Sequence, residues 1–336
     1  MKVLFVGGTG RTGSTVLDRL MGSAPGWFSG GELAFIWRYG LARGGLCSCG
    51  VPLESCPVWS VVLERAGGGL DARRMMELRR RFWSIHLPLT WSPALTRRRL
   101  DALEEYPAVV ERVYRAIGDV TGARVLVDSS KDAHYSMILR ERTALDVYFL
   151  HLVRDPRATG YSWTKRRAEA GFAGSEDMER RGLLKASIYY GVSNVASERL
   201  WRVVPDHYRL LRYEDFVAAP GPVADEIAAF VGEPLDLGGV LAGRTLAPGV
   251  QHTSWGNPNR FERRTIALAP DDAWRRGQPR WRSRALAAIN APVARRFGYR
   301  LGADAALGRP RRGRLALGLD VSRPADPVEG PVEAVR

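Results

Sequence analysis

Gly7-Gly8-Thr9-Gly10-Arg11-Thr12-Gly13-Ser14-Thr15 follows directly on the apolar run Val3 to Val6 and opens a segment whose Val16, Leu17, Leu20 and Met21 share one helical face. Strand, glycine-rich turn and helix in that order form a phosphate loop. Glycines permit positive φ, so successive backbone N–H groups turn inward around an anion, and the following helix adds the positive end of its dipole. Against the pattern G-x-x-x-x-G-K-[ST], Gly8, Gly13 and Thr15 fit, but Ser14 holds the lysine position and the cation of the loop is Arg11. A nucleoside triphosphatase uses that lysine on the β/γ-phosphates, so its replacement argues against ATP hydrolysis.

The 336 residues, 45% of them hydrophobic, suffice for one large α/β domain with a well-buried core. Apolar runs at Val3–Val6, Arg124–Val127, Val147–Val153 and Tyr208–Tyr213 each precede a helical pattern. That alternation predicts an α/β/α three-layer fold with a central, mostly parallel sheet over residues 1–303. Amphipathic helices are predicted at 183–204 and 283–297, and the Arg/Pro/Gly-rich stretch 304–336 reads as a loosely held tail. After the first βα unit, residues 33–120 form a helical insertion carrying Trp37, Tyr39, Trp59, Trp83 and Trp91 among arginines. It is either a wall over an acceptor substrate or a packed helical subdomain.

The formal charge of +14 comes from 50 Lys+Arg against 36 Asp+Glu, an excess that suits nucleic acid, an anionic membrane or a polyanionic small ligand. Much of it lies in short runs (Arg73-Arg74, Arg79 to Arg81, Arg97 to Arg99, Arg275-Arg276) that read as solvated helix faces. Neither a zinc finger, an RNP motif nor a heptad array accompanies them, which disfavours nucleic acid. The opening apolar run is too short for a signal peptide and no later one reaches the ~18 residues of a membrane span, so a soluble, cytoplasmic protein is expected. Cys47, Cys49 and Cys56 are an odd number with no fourth ligand beside them, and are expected to be structural thiols rather than a zinc set.

A second anion motif stands at Arg154-Asp155-Pro156-Arg157-Ala158-Thr159-Gly160-Tyr161-Ser162, where a strand stops at Arg154 and a helix begins around Pro156. An arginine fork and a hydroxyl at the carboxyl edge of an open sheet suit a phosphate monoester. Here the chain resembles the sulfotransferases that use 3′-phosphoadenosine-5′-phosphosulfate (PAPS), closest in motif to their carbohydrate and tyrosylprotein branches. Arg11-Thr12-Gly13-Ser14-Thr15 is similar to the loop that cradles the 5′-phosphosulfate in that family, and Arg154 and Ser162 keep the separation of its 3′-phosphate motif. Leu211-Arg212-Tyr213-Glu214-Asp215-Phe216 resembles the strand end whose tyrosine lies near the adenine. His252, followed by Gly256-Asn257-Pro258-Asn259-Arg260-Phe261, resembles the loop that closes over the nucleotide. The resemblance covers residues 1 to about 300, with the insertion outside the shared motifs.

That resemblance implies transfer of a sulfuryl group from PAPS to a hydroxyl of a glycan, lipid, phenolic or other metabolite, with no metal required. Gly10, Arg11, Thr12, Gly13, Ser14 and Thr15 would hold the 5′ end and Arg154, Ser162, Tyr213, Asn257 and Arg260 the rest of the nucleotide. Arg11 would stabilise the leaving oxygen and Lys131 would contact the sulfonate; a salt bridge from Lys131 to Asp132 is the structural alternative. Glu32 is the candidate general base, with a merely capping or ion-paired glutamate as its alternative and His134 as a second candidate. Two other readings stay open. Arg124 to Asp128 resembles a Walker-B strand and fits a P-loop small-molecule kinase or NTPase, and the arginine runs fit an adaptor for membranes or nucleic acid. Oligomeric state and acceptor are not encoded in any of these motifs.

Overall fold

Val3 and Phe5 enter one apolar cluster and Leu4 and Val6 another, the two-residue alternation of a strand buried on both faces. The first cluster is completed by Val113 and Ile117 of helix Tyr106–Thr121, Ile138 of helix Ala133–Arg142 and Trp201 of helix Leu183–Trp201. Leu17 and Leu20 of α1 (Ser14–Met21) and Ile227 and Val231 of helix Pro220–Val231 complete the second. Three layers, α/β/α, result. The computed structural model describes residues 1–83, 93–166, 168–172 and 176–301. Trp91 and the tail expected at 304–336 lie outside them.

The sheet has five parallel strands: β1 (Lys2–Gly8), β2 (Trp27–Gly31), β3 (Val125–Lys131), β4 (Asp146–Val153) and β5 (Tyr208–Arg212), in the order β2-β3-β1-β4-β5. Four of them match the apolar runs of the sequence to within a few residues. β2 has no counterpart among those runs. Its Trp27-Phe28-Ser29-Gly30-Gly31 has little apolar pattern, and the strand exists because Trp27, Phe28 and Ser29 pair with Val125, Leu126 and Val127. The insertion therefore starts after β2, and Glu32 stands at the carboxyl edge of the sheet.

The chain leaves β1 toward β2 on one side and β4 toward β5 on the other, so β1 and β4 flank the topological switch point at whose carboxyl edge α/β proteins bind ligands. The insertion is helical as expected, with helices Trp59–Arg65, Ala72–Trp83, Pro93–Asp101 and Tyr106–Thr121 after a π-helical turn at Ile36–Leu41. Trp37 and Trp59 are buried in its core, while Phe35 and Tyr39 face a cavity, so the segment is at once a packed subdomain and a wall. Helix Leu183–Trp201 ends three residues before the predicted limit, and helix Arg280–Arg296 begins three earlier than expected. Arg79 departs from the expected solvated face: it is buried and pairs with Asp132 at 3.2 Å.

Candidate functional site

The phosphate loop is built by positive φ at Gly8 (110°), Arg11 (70°) and Gly13 (90°), which turns the chain between β1 and α1. Thr12 is buried and donates from Oγ1 to the Thr9 carbonyl at 3.1 Å, fastening the loop from within rather than facing the cavity. A Cβ on Gly13 would lie 2.6 Å from the Tyr213 ring, so the loop and the end of β5 meet only because that position is glycine. Arg11 sits over the Trp163 indole at 4.9 Å.

Across the switch point, Arg154 follows β4 and Ser162 ends helix Pro156–Ser162, whose N-cap Asp155 accepts from the Arg157 N–H at 2.8 Å. Asp155 is thus committed to Arg157, which leaves Arg154 to face the loop. Arg154 donates from Nη1 to the Arg11 carbonyl at 3.2 Å and from Nη2 to Asp271 at 3.0 Å, and stacks on Tyr213 at 4.4 Å. Its Nε is buried without a hydrogen-bond partner, a group that calls for an acceptor. Burial alone would push the Asp271 carboxyl up, but Arg154 holds it below its ordinary range.

A cavity of ≈ 830 Å³ collects these groups: Gly10, Arg11, Gly13, Ser14, Thr15, Glu32, Lys131, His134, Arg154, Ser162, Tyr213 and Asn257 all line it. Arg38, Arg43 and Arg181 join them, so that six cations face four carboxylates (Glu32, Asp132, Glu179, Asp271) among the described lining residues, and a polyanion is favoured. Arg260 does not line the cavity. Its guanidinium donates to the Gly256 and Leu46 carbonyls and holds the loop that carries Asn257. From α1, Arg19 binds the same loop through the carbonyls of Asn259 (2.6 Å) and Glu262 (2.5 Å). His252 is also outside the lining; its Nδ1 lies 3.2 Å from the Cys56 sulfur.

Lys131 is the last residue of β3 and takes a left-handed φ of 66°, which only Arg11 and Glu104 share among the described non-glycine residues. Two of these three strained residues line the cavity, where such conformations cost roughly 1–3 kcal/mol and persist when the surroundings fix them. The ammonium of Lys131 donates to Glu32 Oε1 at 2.6 Å, not to Asp132, which instead caps helix Ala133–Arg142 and binds Arg79. Glu32 is fixed in turn by its own N–H, which donates to the Trp255 carbonyl at 3.0 Å.

Trp163, Tyr189, Arg181 and Asp271 also line the cavity, although the motifs do not single them out. The Arg181 guanidinium lies over the Tyr189 (3.8 Å) and Trp163 (4.3 Å) rings; Trp163 directly follows the Arg154/Ser162 motif, while no motif marks Tyr189, Arg181 or Asp271. Asp128, the aspartate of the Walker-B-like run, is buried beneath the cavity and is not among its lining residues. It accepts from Ser130 and from the Tyr114 hydroxyl, and burial pushes it up to about 6.

No protein-family model matches the sequence, and no curated protein sequence does. Among solved structures the chain is similar to the sulfotransferase domain of the Synechococcus PCC 7002 olefin synthase, with 21% identity, a TM-score of 0.50 and coverage of 90% of this chain and 95% of that one. The sulfotransferase domain from the curacin biosynthetic pathway aligns at 18% identity and a TM-score of 0.48, over 87% of this chain and 97% of that one. The similarity to the olefin synthase domain shows that the chain has the sulfotransferase fold.

Proposed function

We propose that this protein transfers a sulfuryl group from PAPS to a hydroxyl of an organic acceptor, releasing adenosine 3′,5′-bisphosphate. The observation that most supports this reading is the meeting of two anion cradles on one cavity, with Arg154 of the second hydrogen-bonded at 3.2 Å to the Arg11 carbonyl of the first. Two anion-binding groups on one cavity suit a nucleotide with phosphates at both the 5′ and 3′ positions.

In this mechanism the loop from Gly10 to Thr15 holds the 5′-phosphosulfate through its backbone N–H groups, and Arg154 with Ser162 holds the 3′-phosphate. Tyr213 and Asn257 bound the nucleotide, and Arg260 keeps the Asn257 loop in position. Glu32 accepts the proton of the acceptor hydroxyl through its Oε2 as the new O–S bond forms. The bond from sulfur to the 5′-phosphate oxygen breaks, Lys131 steadies the sulfonate in transit, and Arg11 stabilises the charge left on the phosphate. Phe35, Tyr39, Phe172 and Trp255, with Arg38 and Arg43, line the wall beside Glu32 and suit an acceptor that pairs an apolar body with acidic or hydroxyl groups. No metal is required by these steps.

Incubation with radiolabelled PAPS and a panel of phenols, lipids, glycans and other alcohols tests the reading: label should move to an acceptor and adenosine 3′,5′-bisphosphate should accumulate. Phosphate moving from labelled ATP in a magnesium-dependent way would instead establish a kinase.

A further inference from the structure

Cys47, Cys49 and Cys56 have no fourth ligand near them in the sequence, yet the fold supplies one from 196 residues away: His252 Nδ1 lies 3.2 Å from Cys56 Sγ. Cys47 Sγ is 3.9 Å from the same nitrogen, Cys49 Sγ is 3.7 Å from Cys56 Sγ, and the four ligand atoms all fall within 4.8 Å of one another. A tetrahedral zinc ion, with bonds of about 2.3 Å to sulfur and about 2.0 Å to nitrogen, sets its ligand atoms about 3.5–3.8 Å apart. We propose that these four residues form a structural Zn²⁺ site that fastens the insertion to the loop bordering the cavity.

The surroundings are those of a thiolate knuckle. The Cys47 carbonyl accepts from the Gly50 N–H and the Cys47 N–H donates to the Val51 carbonyl, both at 2.8 Å, with Gly50 at a φ of 102° closing the turn. Burial pushes the Cys47 and Cys56 thiols up; against it, the N–H of Cys49 points at the Cys47 sulfur and those of Val58 and Trp59 at the Cys56 sulfur, which orients both sulfurs. Binding Zn²⁺ releases three thiol protons and leaves the site with one net negative charge. The guanidinium of Arg263, which donates to the Ser48 carbonyl at 3.0 Å, is at hand to balance that charge.

Ser48 and Trp59 continue the same seam. Ser48 binds Thr253 at 3.0 and 2.8 Å, and the Trp59 indole donates to the His252 carbonyl at 2.6 Å. Three residues beyond His252, the Trp255 carbonyl receives the N–H of Glu32. The metal thus anchors the wall that holds Glu32, without itself reaching the cavity. A disulfide is the competing use of these thiols, but Cys49 and Cys56 stand at 3.7 Å, well beyond the ~2.05 Å of an S–S bond.

The test is metal analysis of the full chain purified from zinc-supplemented cells without chelator, followed by exchange with Co²⁺. About one zinc per chain is expected, with intense sulfur-to-cobalt charge transfer and the visible bands of a tetrahedral ion. His252→Ala and Cys56→Ser should lower metal content at least about tenfold, whereas His252→Cys should retain it and shift the cobalt bands toward those of a four-thiolate site. Should the variants not fold, the wild-type zinc content and cobalt spectrum still decide. Folded wild-type protein with under about 0.1 zinc per chain and an octahedral cobalt spectrum overturns the proposal, as does a mass two hydrogens low from a disulfide. Because sulfuryl transfer is not the readout, the two readings fail separately.

Discussion

Lys131 Nζ donates to Glu32 Oε1 at 2.6 Å, joining the ends of two strands 99 residues apart in the sequence. Each partner was assigned a separate catalytic role from the motifs, and the fold makes them one unit. Lys131 adopts its left-handed backbone while pointing at Glu32, so the pair is aligned before any substrate arrives.

Glu32→Gln keeps the shape of this side chain and removes its capacity to take a proton. Turnover should fall by about 10²-fold or more, with affinity for adenosine 3′,5′-bisphosphate changed by less than about threefold. Single-turnover kinetics and calorimetry separate the two. Parallel loss of nucleotide affinity would mean that Glu32 serves only to hold Lys131.

Arg154 offers a buried, unpartnered Nε and a guanidinium shared between Asp271 and the Arg11 carbonyl. Charge-assisted hydrogen bonds contribute about 1.5–3 kcal/mol each, so Arg154→Ala should weaken adenosine 3′,5′-bisphosphate binding by about 10- to 100-fold. Adenosine 5′-monophosphate, lacking the 3′ group, should bind the variant and the wild type almost alike. Equal loss for both nucleotides would remove Arg154 from the 3′-phosphate.

Gly13 combines a φ of 90° with a Tyr213 ring that a Cβ would meet at 2.6 Å. Gly13→Ala should cost about 1–3 kcal/mol. The thermal midpoint should drop by roughly 2–4 °C per kcal/mol, read by calorimetry, and nucleotide binding should fall as the loop is displaced. Unchanged stability would show that the loop does not need this backbone geometry.

Beneath the loop, Asp18 is raised from 3.8 to about 7 by burial, against the opposing hydrogen bond from Ser29, and its Oδ1 is buried without a partner. The folded state therefore binds this proton more tightly than the unfolded chain. Its contribution is fully present below about pH 4 and is lost as pH rises to about 7, at no more than about 1.4 kcal/mol per pH unit. Denaturant titrations of wild type and Asp18→Asn should show their stability difference moving against the wild type over that interval and levelling above it. A constant difference would place the folded Asp18 in its ionised form throughout.

The phosphate loop, the Arg154/Ser162 motif and four of the five strands were legible because each is a local pattern, a spacing of a few residues imposed by one turn of chain. β2 was hidden because only Trp27 and Phe28 favour a strand, while Ser29-Gly30-Gly31 do not, and the segment is recruited by pairing with β3. The bonds Lys131–Glu32, Arg154–Asp271 and Cys56–His252 were hidden for a different reason. They span 99, 117 and 196 residues, and only the tertiary fold brings such partners together. The motifs thus supplied the roster of reactive groups, and tertiary structure supplied their pairings.

Tyr213 abuts Gly13 and also carries the Arg154 guanidinium over its ring. A single rigid ring therefore bears on both cradles. A tilt of that ring would disturb the loop and Arg154 together, so a substitution at Tyr213 should be felt on both sides of the switch point at once.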